Sequence, residues 1–180
     1  MYMWIGCKLP RFYESEIRRH CLALNERINL NTTAFSLPQH ISLKISFPVP
    51  NDQAEELIAF LHGWLREVKS FEVQLLPPEQ AGNILWLPVG ENPILEKLHE
   101  MLDTKLQERF GIQQHPFDKC FKFHSTLFMD EAEQLSQMLR LMEDDPFRRI
   151  LKVTAFLIGV SPDGSPGSYQ VVREVSCREA

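Results

Sequence analysis

The chain has 180 residues and a mass of 21.0 kDa, with 44% hydrophobic and 24% charged residues. This length and composition predict one folded domain with a substantial core, and they exclude the disordered and collagen-like classes. The longest apolar runs, residues 84–89 and 151–160, are much shorter than the ~20 residues of a membrane span. The first ten residues lack a basic start followed by a long apolar run. We therefore expect a cytoplasmic protein that does not associate with a membrane.

Charge and cysteine usage narrow the functional classes further. The formal net charge of −5 argues against non-specific coating of nucleic acid, although it leaves room for a small basic groove. The chain shows no Cys-x-x-Cys spacing, so its cysteines are expected to be reduced thiols rather than a disulfide framework or a zinc site. These cysteines are Cys7, Cys21, Cys120 and Cys177.

Hydrophobic periodicity predicts alternating strands and helices. The helix after Pro50 has Asn51 or Asp52 as a plausible cap. In chain order the predicted elements are strand 2–9, helix 12–30, strand 40–47, the helix after Pro50, strand 71–76, strand 84–89, helix 93–110, strand 121–128, helix 130–142, strand 151–160 and strand 169–176.

The order of these elements indicates an internal duplication. Trp4 aligns with Trp86 at an offset of 82, and His40 aligns with His124 at an offset of 84. Near-equal offsets are typical of a repeated unit, here strand-helix-strand-helix-strand. Each unit is too small to cover both faces of a sheet, so we expect the two units to pack around a pseudo-twofold axis with a cleft between them.

The third element of each unit carries the same short pattern, His-Ile-Ser-Leu at residues 40–43 and His-Ser-Thr-Leu at residues 124–127. Side chains alternate across a strand, so His40 and Ser42 share one face, as do His124 and Thr126. One such pattern is common by chance. Two at equivalent places in a repeat predict a site in which two imidazoles and two hydroxyls face each other.

Lys44 and Lys122 have the same strand parity as these residues. They could add positive charge to the site, or they could be ordinary strand-end lysines in solvent, so neither is assigned to catalysis. The remaining histidines are expected at the surface or satisfied within the fold, and three aromatic residues are candidates for stacking on a base, with core or loop positions favoured. The histidines are His20, His62, His99 and His115, and the aromatic residues are Phe117, Phe121 and Tyr169.

The two motifs and the early strand Met-Trp-Ile-Gly at residues 3–6 resemble the two-histidine (2H) phosphoesterases, in particular their RNA ligase-like and cyclic phosphodiesterase-like members. The resemblance covers essentially the whole chain and implies an α+β fold with two lobes and a central cleft. It implies a single bilobal domain over residues 1–180, with one lobe at about 1–78 and the other at about 83–180. The stretch before His124 lacks the proline often found there in the family, so substrate preference could differ.

The resemblance also implies an activity: metal-independent cleavage of 2′,3′-cyclic phosphate or 2′-5′ phosphodiester bonds in nucleotides or RNA ends. His40 and His124 would act as acid and base, because an imidazole with a pKa near 6.5 can take either role around neutral pH. Ser42 and Thr126 would bind the phosphate oxygens. We expect no metal, no cofactor and a monomer. The alternative is a module that binds a phosphate or RNA end in the same cleft without turning it over.

Overall fold

The computed structural model describes residues 1–142 and 147–179. Strands and helices alternate along this part of the chain. The strands are β1 Tyr2–Lys8, β2 His40–Pro48, β3 Phe71–Leu75, β4 Glu79–Ala81, β5 Ile84–Pro88, β6 His124–Met129, β7 Arg149–Val153, β8 Ala155–Ser161 and β9 Gln170–Ser176. The helices are α1 Arg11–Asn25, α2 Ala54–Leu65, α3 Pro93–Phe110 and α4 Ala132–Leu141, with 3₁₀ helices at Thr33–Ser36 and Pro116–Cys120.

The antiparallel strands form a four-stranded sheet in the order β2-β1-β8-β9, a three-stranded sheet in the order β4-β5-β6, and the pair β3-β7. The fold is therefore α+β, as predicted. The two series β1-α1-β2-α2-β3 and β5-α3-β6-α4-β7 have the same element order, which agrees with the predicted duplication.

The sheets combine strands from the N-terminal and C-terminal halves of the chain. Strands β8 and β9, from the C-terminal half, extend the sheet built on β1 and β2. β3 pairs with β7 along its whole length, from Phe71 opposite Val153 to Leu75 opposite Arg149. The two lobe ranges stay a prediction, but strand pairing joins residues from both of them.

Several predicted boundaries are wrong. Helix α1 ends at Asn25 rather than near residue 30, because the Asn25 side chain bonds both the N–H and the carbonyl of Leu30 and turns the chain. The predicted strand 151–160 is two strands separated at Thr154, one in each of two sheets. Strand β6 begins at His124 rather than at Phe121, and the short strand β4 was not predicted.

In the described residues one hydrophobic core is shared by the four-stranded sheet, the three-stranded sheet, the β3-β7 pair and the inner faces of the helices. Cys7 and Cys21 lie in it, and all four cysteines are free thiols, as the spacing predicted. Burial raises the pKa of Cys21 to about 12, so this thiol stays protonated and unreactive and contributes to the fold as a buried apolar side chain. No helix in the described ranges combines the length and the apolar composition needed to cross a membrane.

Candidate active site

The two motifs lie on β2 and β6, and their side chains alternate as the sequence predicted. Ile41 and Leu43 are fully buried in the core, whereas His40 and Ser42 are half-buried on the opposite face. On β6 the same alternation leaves His124 and Thr126 half-buried, with Ser125 and Leu127 buried between and after them. In each strand the apolar residues thus fix which face the histidine and hydroxyl present.

Each histidine ring packs on a tryptophan from the neighbouring strand. Trp4 stacks on His40 and Trp86 packs on His124, both with ring centroids 4.2 Å apart and with interplanar angles of 26° and 32°. The tryptophans are the residues whose alignment indicated the duplication. The repeated unit therefore includes a histidine and the aromatic ring that holds its orientation.

A backbone carbonyl fixes the protonation pattern of each ring. His40 Nδ1 donates to the carbonyl of Pro38 at 2.8 Å, and His124 Nδ1 donates to that of Lys122 at 2.6 Å. The carbonyl can only accept, so Nδ1 carries a proton in both rings and Nε2 is left for an external partner. This is the arrangement that a histidine acting as acid or base requires.

Burial lowers the pKa of both histidines. The pKa of His40 falls from 6.5 to about 4, mainly by desolvation; the bond to Pro38 opposes the shift and the charge of His124 adds to it. The pKa of His124 is also lowered by desolvation, against the bond to Lys122.

Two cavities meet at His40. One, of about 220 Å³, is lined by His40, Ser42 and His124. The other, of about 250 Å³, is lined by His40 and Thr126 together with the first 3₁₀ helix and the loop 164–169. The four residues predicted from the motifs therefore surround one cleft, with His40 common to both of its parts. Tyr169 also lines both parts, and its hydroxyl is 2.5 Å from Ser46 Oγ.

A buried hydrogen bond connects the two motifs. Ser125, which follows His124, donates from its hydroxyl to Gln39 Oε1 at 2.9 Å, and Gln39 precedes His40. Ser125 is fully buried and Gln39 is 3% exposed. The bond ties β6 to the start of β2 beneath the cleft, so it limits relative movement of the two histidines. The two sequence motifs do not predict this hydrogen bond.

A glycine makes room for the stacked tryptophan. A Cβ atom at Gly159, on β8, would lie 2.1 Å from Nε1 of Trp4, which is an impossible contact. Gly6 is similarly confined, because a Cβ there would lie 2.9 Å from the rings of both Trp4 and His40. The stack of Trp4 on His40 thus depends on two glycines, Gly6 on the same strand as Trp4 and Gly159 opposite Trp4 on β8.

Replacing Gly159 by alanine is expected to displace Trp4 and to destabilise the fold by about 1–3 kcal/mol, the usual cost of overpacking. With the stack disturbed, His40 becomes more hydrated and its pKa rises toward 6.5. Urea unfolding and NMR titration of the His40 ring measure the two effects. Gly63→Ala is the control, since a Cβ there meets nothing within 4 Å and alanine favours helix α2 by up to about 1 kcal/mol. An unshifted His40 titration in Gly159→Ala would contradict the role of the stack.

Lys44 is not a solvent-exposed strand-end residue. It is 1% exposed, and its Nζ lies 2.5 Å from both Asp103 Oδ1 on α3 and Asp118 Oδ2 in the second 3₁₀ helix. Asp118 Oδ2 also accepts from the backbone N–H of His115. A charge this deeply buried requires partners of opposite sign, and both come from the other half of the chain. Lys122 is exposed, as expected for a lysine at a strand end.

His99 belongs to the same buried cluster. Its Nδ1 is 2.6 Å from the carbonyl of Leu43, and its Nε2 is 3.0 Å from that of Asp118. The side chains of His99, Asp103 and Asp118 offer ligand atoms within 4.8 Å of one another, as a metal site would. Lys44 Nζ already occupies the cation position between the two carboxylates, so these donors fit an internal ion-pair cluster better than a metal. His99 was expected either at the surface or satisfied within the fold, and the structure shows the second of these.

The other predicted candidates are dispersed. His115 caps the second 3₁₀ helix, and His20 packs edge-on against Phe147. Phe121 lines the cleft beside His124, where it also stacks on His99, whereas Phe117 is 69% exposed. Phe121 and Tyr169 thus remain candidates for contact with a base.

Comparison with solved structures identifies the fold. The chain is similar to TT0787 of Thermus thermophilus (TM-score 0.68, 19% identity, covering 98% of this chain and 97% of that one). It is also similar to Escherichia coli LigT solved with 3′-AMP (TM-score 0.63, 20% identity, 97% of both chains). Kluyveromyces marxianus Usb1 matches at a TM-score of 0.53 with 14% identity over 97% of both chains. No curated protein matches the sequence.

Together with the match of a family model, the fold confirms the resemblance to the two-histidine phosphoesterases that was inferred from the motifs. A model of the 2′-5′ RNA ligase superfamily matches residues 16–158, a span that includes both motifs. The chain belongs to the 2′-5′ RNA ligase superfamily.

Proposed function

We propose that the protein is a metal-independent phosphoesterase that acts on 2′,3′-cyclic phosphate or 2′-5′ phosphodiester bonds of nucleotides or RNA ends. The observation that carries this proposal is the paired arrangement of His40 and His124, each with Nδ1 bound to a carbonyl and each lining the same cleft. Two equivalent imidazoles supply one group to accept a proton and one to donate it across a single phosphate.

Opening a cyclic phosphate requires three things of the site. A base removes a proton from water, an acid gives a proton to the departing ribose oxygen, and donors hold the non-bridging oxygens. Nε2 of one histidine serves as base and Nε2 of the other as acid. Ser42 lines the cavity shared by both histidines, and Thr126 lines the adjoining part, so the two hydroxyls approach the phosphate from different sides.

Membership of the superfamily and the ligands of a relative support a nucleotide substrate. LigT has been solved with 3′-AMP, with NADP⁺ and with ATP, so a protein of this fold holds nucleotides. We extend nucleotide binding to this chain as part of the proposal. The reduced state of all four cysteines suits the cytoplasm, which we propose as the compartment.

Because the pKa values of both histidines are lowered, we expect the pH optimum of kcat/KM to lie on the acid side of neutrality. In the free protein the pKa of His40 is about 4 and that of His124 lies below its usual 6.5, so kcat/KM should already be falling as the pH approaches 6.5 from below. A bound phosphate anion favours the imidazolium, so kcat should remain high to a higher pH than kcat/KM does. Profiles of both constants between about pH 4 and 9 test this. A kcat/KM that still rises above pH 7 would contradict it.

Turnover should persist in excess EDTA. Among the described residues, one cluster of side chains could bind a metal ion, namely His99, Asp103 and Asp118. The two carboxylates of this cluster already bind Lys44. Proton transfer by two histidines, in addition, needs no Lewis acid. The measurement is the initial rate before and after chelation, and again with added Mg²⁺, Mn²⁺ or Zn²⁺. Loss of activity in EDTA that a metal restores would contradict the proposed chemistry.

The test of the function is a panel assay. Purified protein is incubated with the four nucleoside 2′,3′-cyclic phosphates and with 2′-5′ and 3′-5′ dinucleoside monophosphates, and ³¹P NMR identifies the position of the product phosphate. We expect turnover of the first two classes and none of the 3′-5′ compounds. Binding without turnover of any compound would favour the non-catalytic phosphate-binding module.

A further inference from the structure

In the part of the chain that the structure describes, no lysine or arginine without an ion-pair partner lines the two parts of the cleft. Among the described residues that line them, Lys44 is the one lysine or arginine. Its Nζ is held between Asp103 and Asp118 at 2.5 Å from each, so two carboxylates neutralise its charge. Among the described lining residues, the two histidines are therefore the groups that can bring a positive charge to the cleft, and they do so when a bound phosphate anion favours the imidazolium.

Lys8, which lies beside the first histidine on the neighbouring strand, is also neutralised. Lys8 lies opposite His40 in the register of β1 and β2. Its Nζ donates to both carboxylate oxygens of Glu174 at 2.7 Å. A strand of RNA that left the cleft along this edge would meet an ion pair rather than an unpaired lysine.

Both ends of the cleft carry acidic groups. Beyond Phe121 a third cavity is lined by Lys122 and by three exposed glutamates, Glu79, Glu91 and Glu96. At the other end, Asp163 is exposed beside Gly164, which lines the cavity next to Thr126. Hydrogen bonds from the backbone and hydroxyl of Ser165 lower the pKa of Asp163 to about 2, which keeps this carboxylate charged.

Proteins that bind a nucleic-acid chain neutralise successive phosphates with lysine and arginine along a groove. The surroundings of this cleft have the opposite charge. We propose, on the basis of the function proposed above, that the cleft selects substrates in which the reacting phosphate is the only one. These substrates are nucleoside 2′,3′-cyclic phosphates and dinucleoside monophosphates. The cleft disfavours RNA chains, which carry further phosphates. Each further phosphate is repelled by the acidic ends of the cleft.

The test compares substrates that share one reacting end. These are adenosine 2′,3′-cyclic phosphate, the same compound with a 5′-phosphate, and an oligoribonucleotide of about ten nucleotides that ends in the same cyclic phosphate. At low salt we expect kcat/KM to fall in that order, by at least tenfold over the series. Raising KCl from about 50 to about 200 mM should raise kcat/KM for the oligonucleotide, because screening weakens repulsion.

An oligonucleotide that is cleaved as well as the nucleoside compound, with kcat/KM that falls as salt rises, would overturn the inference and leave the proposed function intact. If no compound is turned over, the proposed function fails, and calorimetry with 3′-AMP and adenosine 3′,5′-bisphosphate then tests the charge selection. Tighter binding of 3′-AMP supports the selection. Tighter binding of the bisphosphate, or binding of neither, overturns it.

Charge variants locate the effect. The double variant Glu79→Gln/Glu91→Gln should raise kcat/KM for the oligonucleotide several-fold at low salt and leave that for adenosine 2′,3′-cyclic phosphate unchanged. The control is Glu55→Gln/Glu108→Gln, which makes the same change in net charge at exposed positions on α2 and α3. Equal effects of the two double variants would mean that net charge rather than the cleft environment determines the preference, and would overturn the inference.

Discussion

His40→Ala and His124→Ala should each lower kcat/KM on a nucleoside 2′,3′-cyclic phosphate by about 10²- to 10⁴-fold, because each removes one of the two groups that transfer a proton. Both side chains are half-buried at the cleft surface rather than in the core, so the fold should persist. Steady-state kinetics measures the loss, and circular dichroism checks the fold. Unchanged turnover in either variant would refute the two-histidine mechanism.

The double variant is the sharper test of that mechanism. If the two imidazoles act in one concerted step, His40→Ala/His124→Ala should be little worse than the weaker single variant. If the fold-loss of kcat/KM in the double variant equals the product of the losses in the two single variants, the two histidines act independently. Ser42→Ala and Thr126→Ala provide a comparison, since each removes a hydrogen bond to a charged oxygen, worth about 1.5–3 kcal/mol or about ten- to a hundred-fold.

Lys44→Met should destabilise the protein by about 3–5 kcal/mol, the cost of leaving buried charges without their partner. Asp103 is 8% exposed and Asp118 is 4% exposed, so water cannot replace the ammonium group. The free energy of unfolding in urea is the measurement. Lys122→Met is the matched control at an exposed lysine, where a change within about 0.5 kcal/mol is expected.

A compensating variant separates charge from packing. Lys44→Met/Asp103→Asn/Asp118→Asn removes the whole set of charges and should recover a large part of the stability that Lys44→Met loses. If the triple variant is no more stable than Lys44→Met, the lysine contributes through its aliphatic packing, and the ion-pair account is wrong.

The elements that carry the site could be predicted from the sequence because their signals are local. Alternation of apolar and polar residues fixes which face His40 and Ser42 occupy, and the same rule applies to His124 and Thr126. The equivalence of Trp4 and Trp86 indicated the duplication, although it did not show that both rings pack on the histidines.

The features that the sequence could not predict depend mainly on contacts between residues that are far apart in the chain. Lys44 reads as a strand-end lysine because its carboxylate partners lie 59 and 74 residues away. The break at Thr154 is hidden because apolar residues stand on both sides of it: β7 alternates exposed and buried residues up to Val153, and β8 is buried from Ala155 to Gly159. The bond between Gln39 and Ser125 spans 86 residues and joins two polar side chains of ordinary type.

The pairing of β1 with β8 affects how the chain folds during synthesis. Tyr2–Lys8 is made before its partner strand Ala155–Ser161, which follows after about 150 further residues, or about 8–30 s at usual elongation rates. Until then one edge of β1 lacks its partner, and the strand contains apolar residues such as Met3 and Ile5 that the native core covers completely. The central sheet therefore cannot be completed until β8 has been synthesised, and a pairing between strands this far apart in the sequence slows folding. Fragments that end between the two halves should be insoluble, because the ribosome would release them with that edge uncovered.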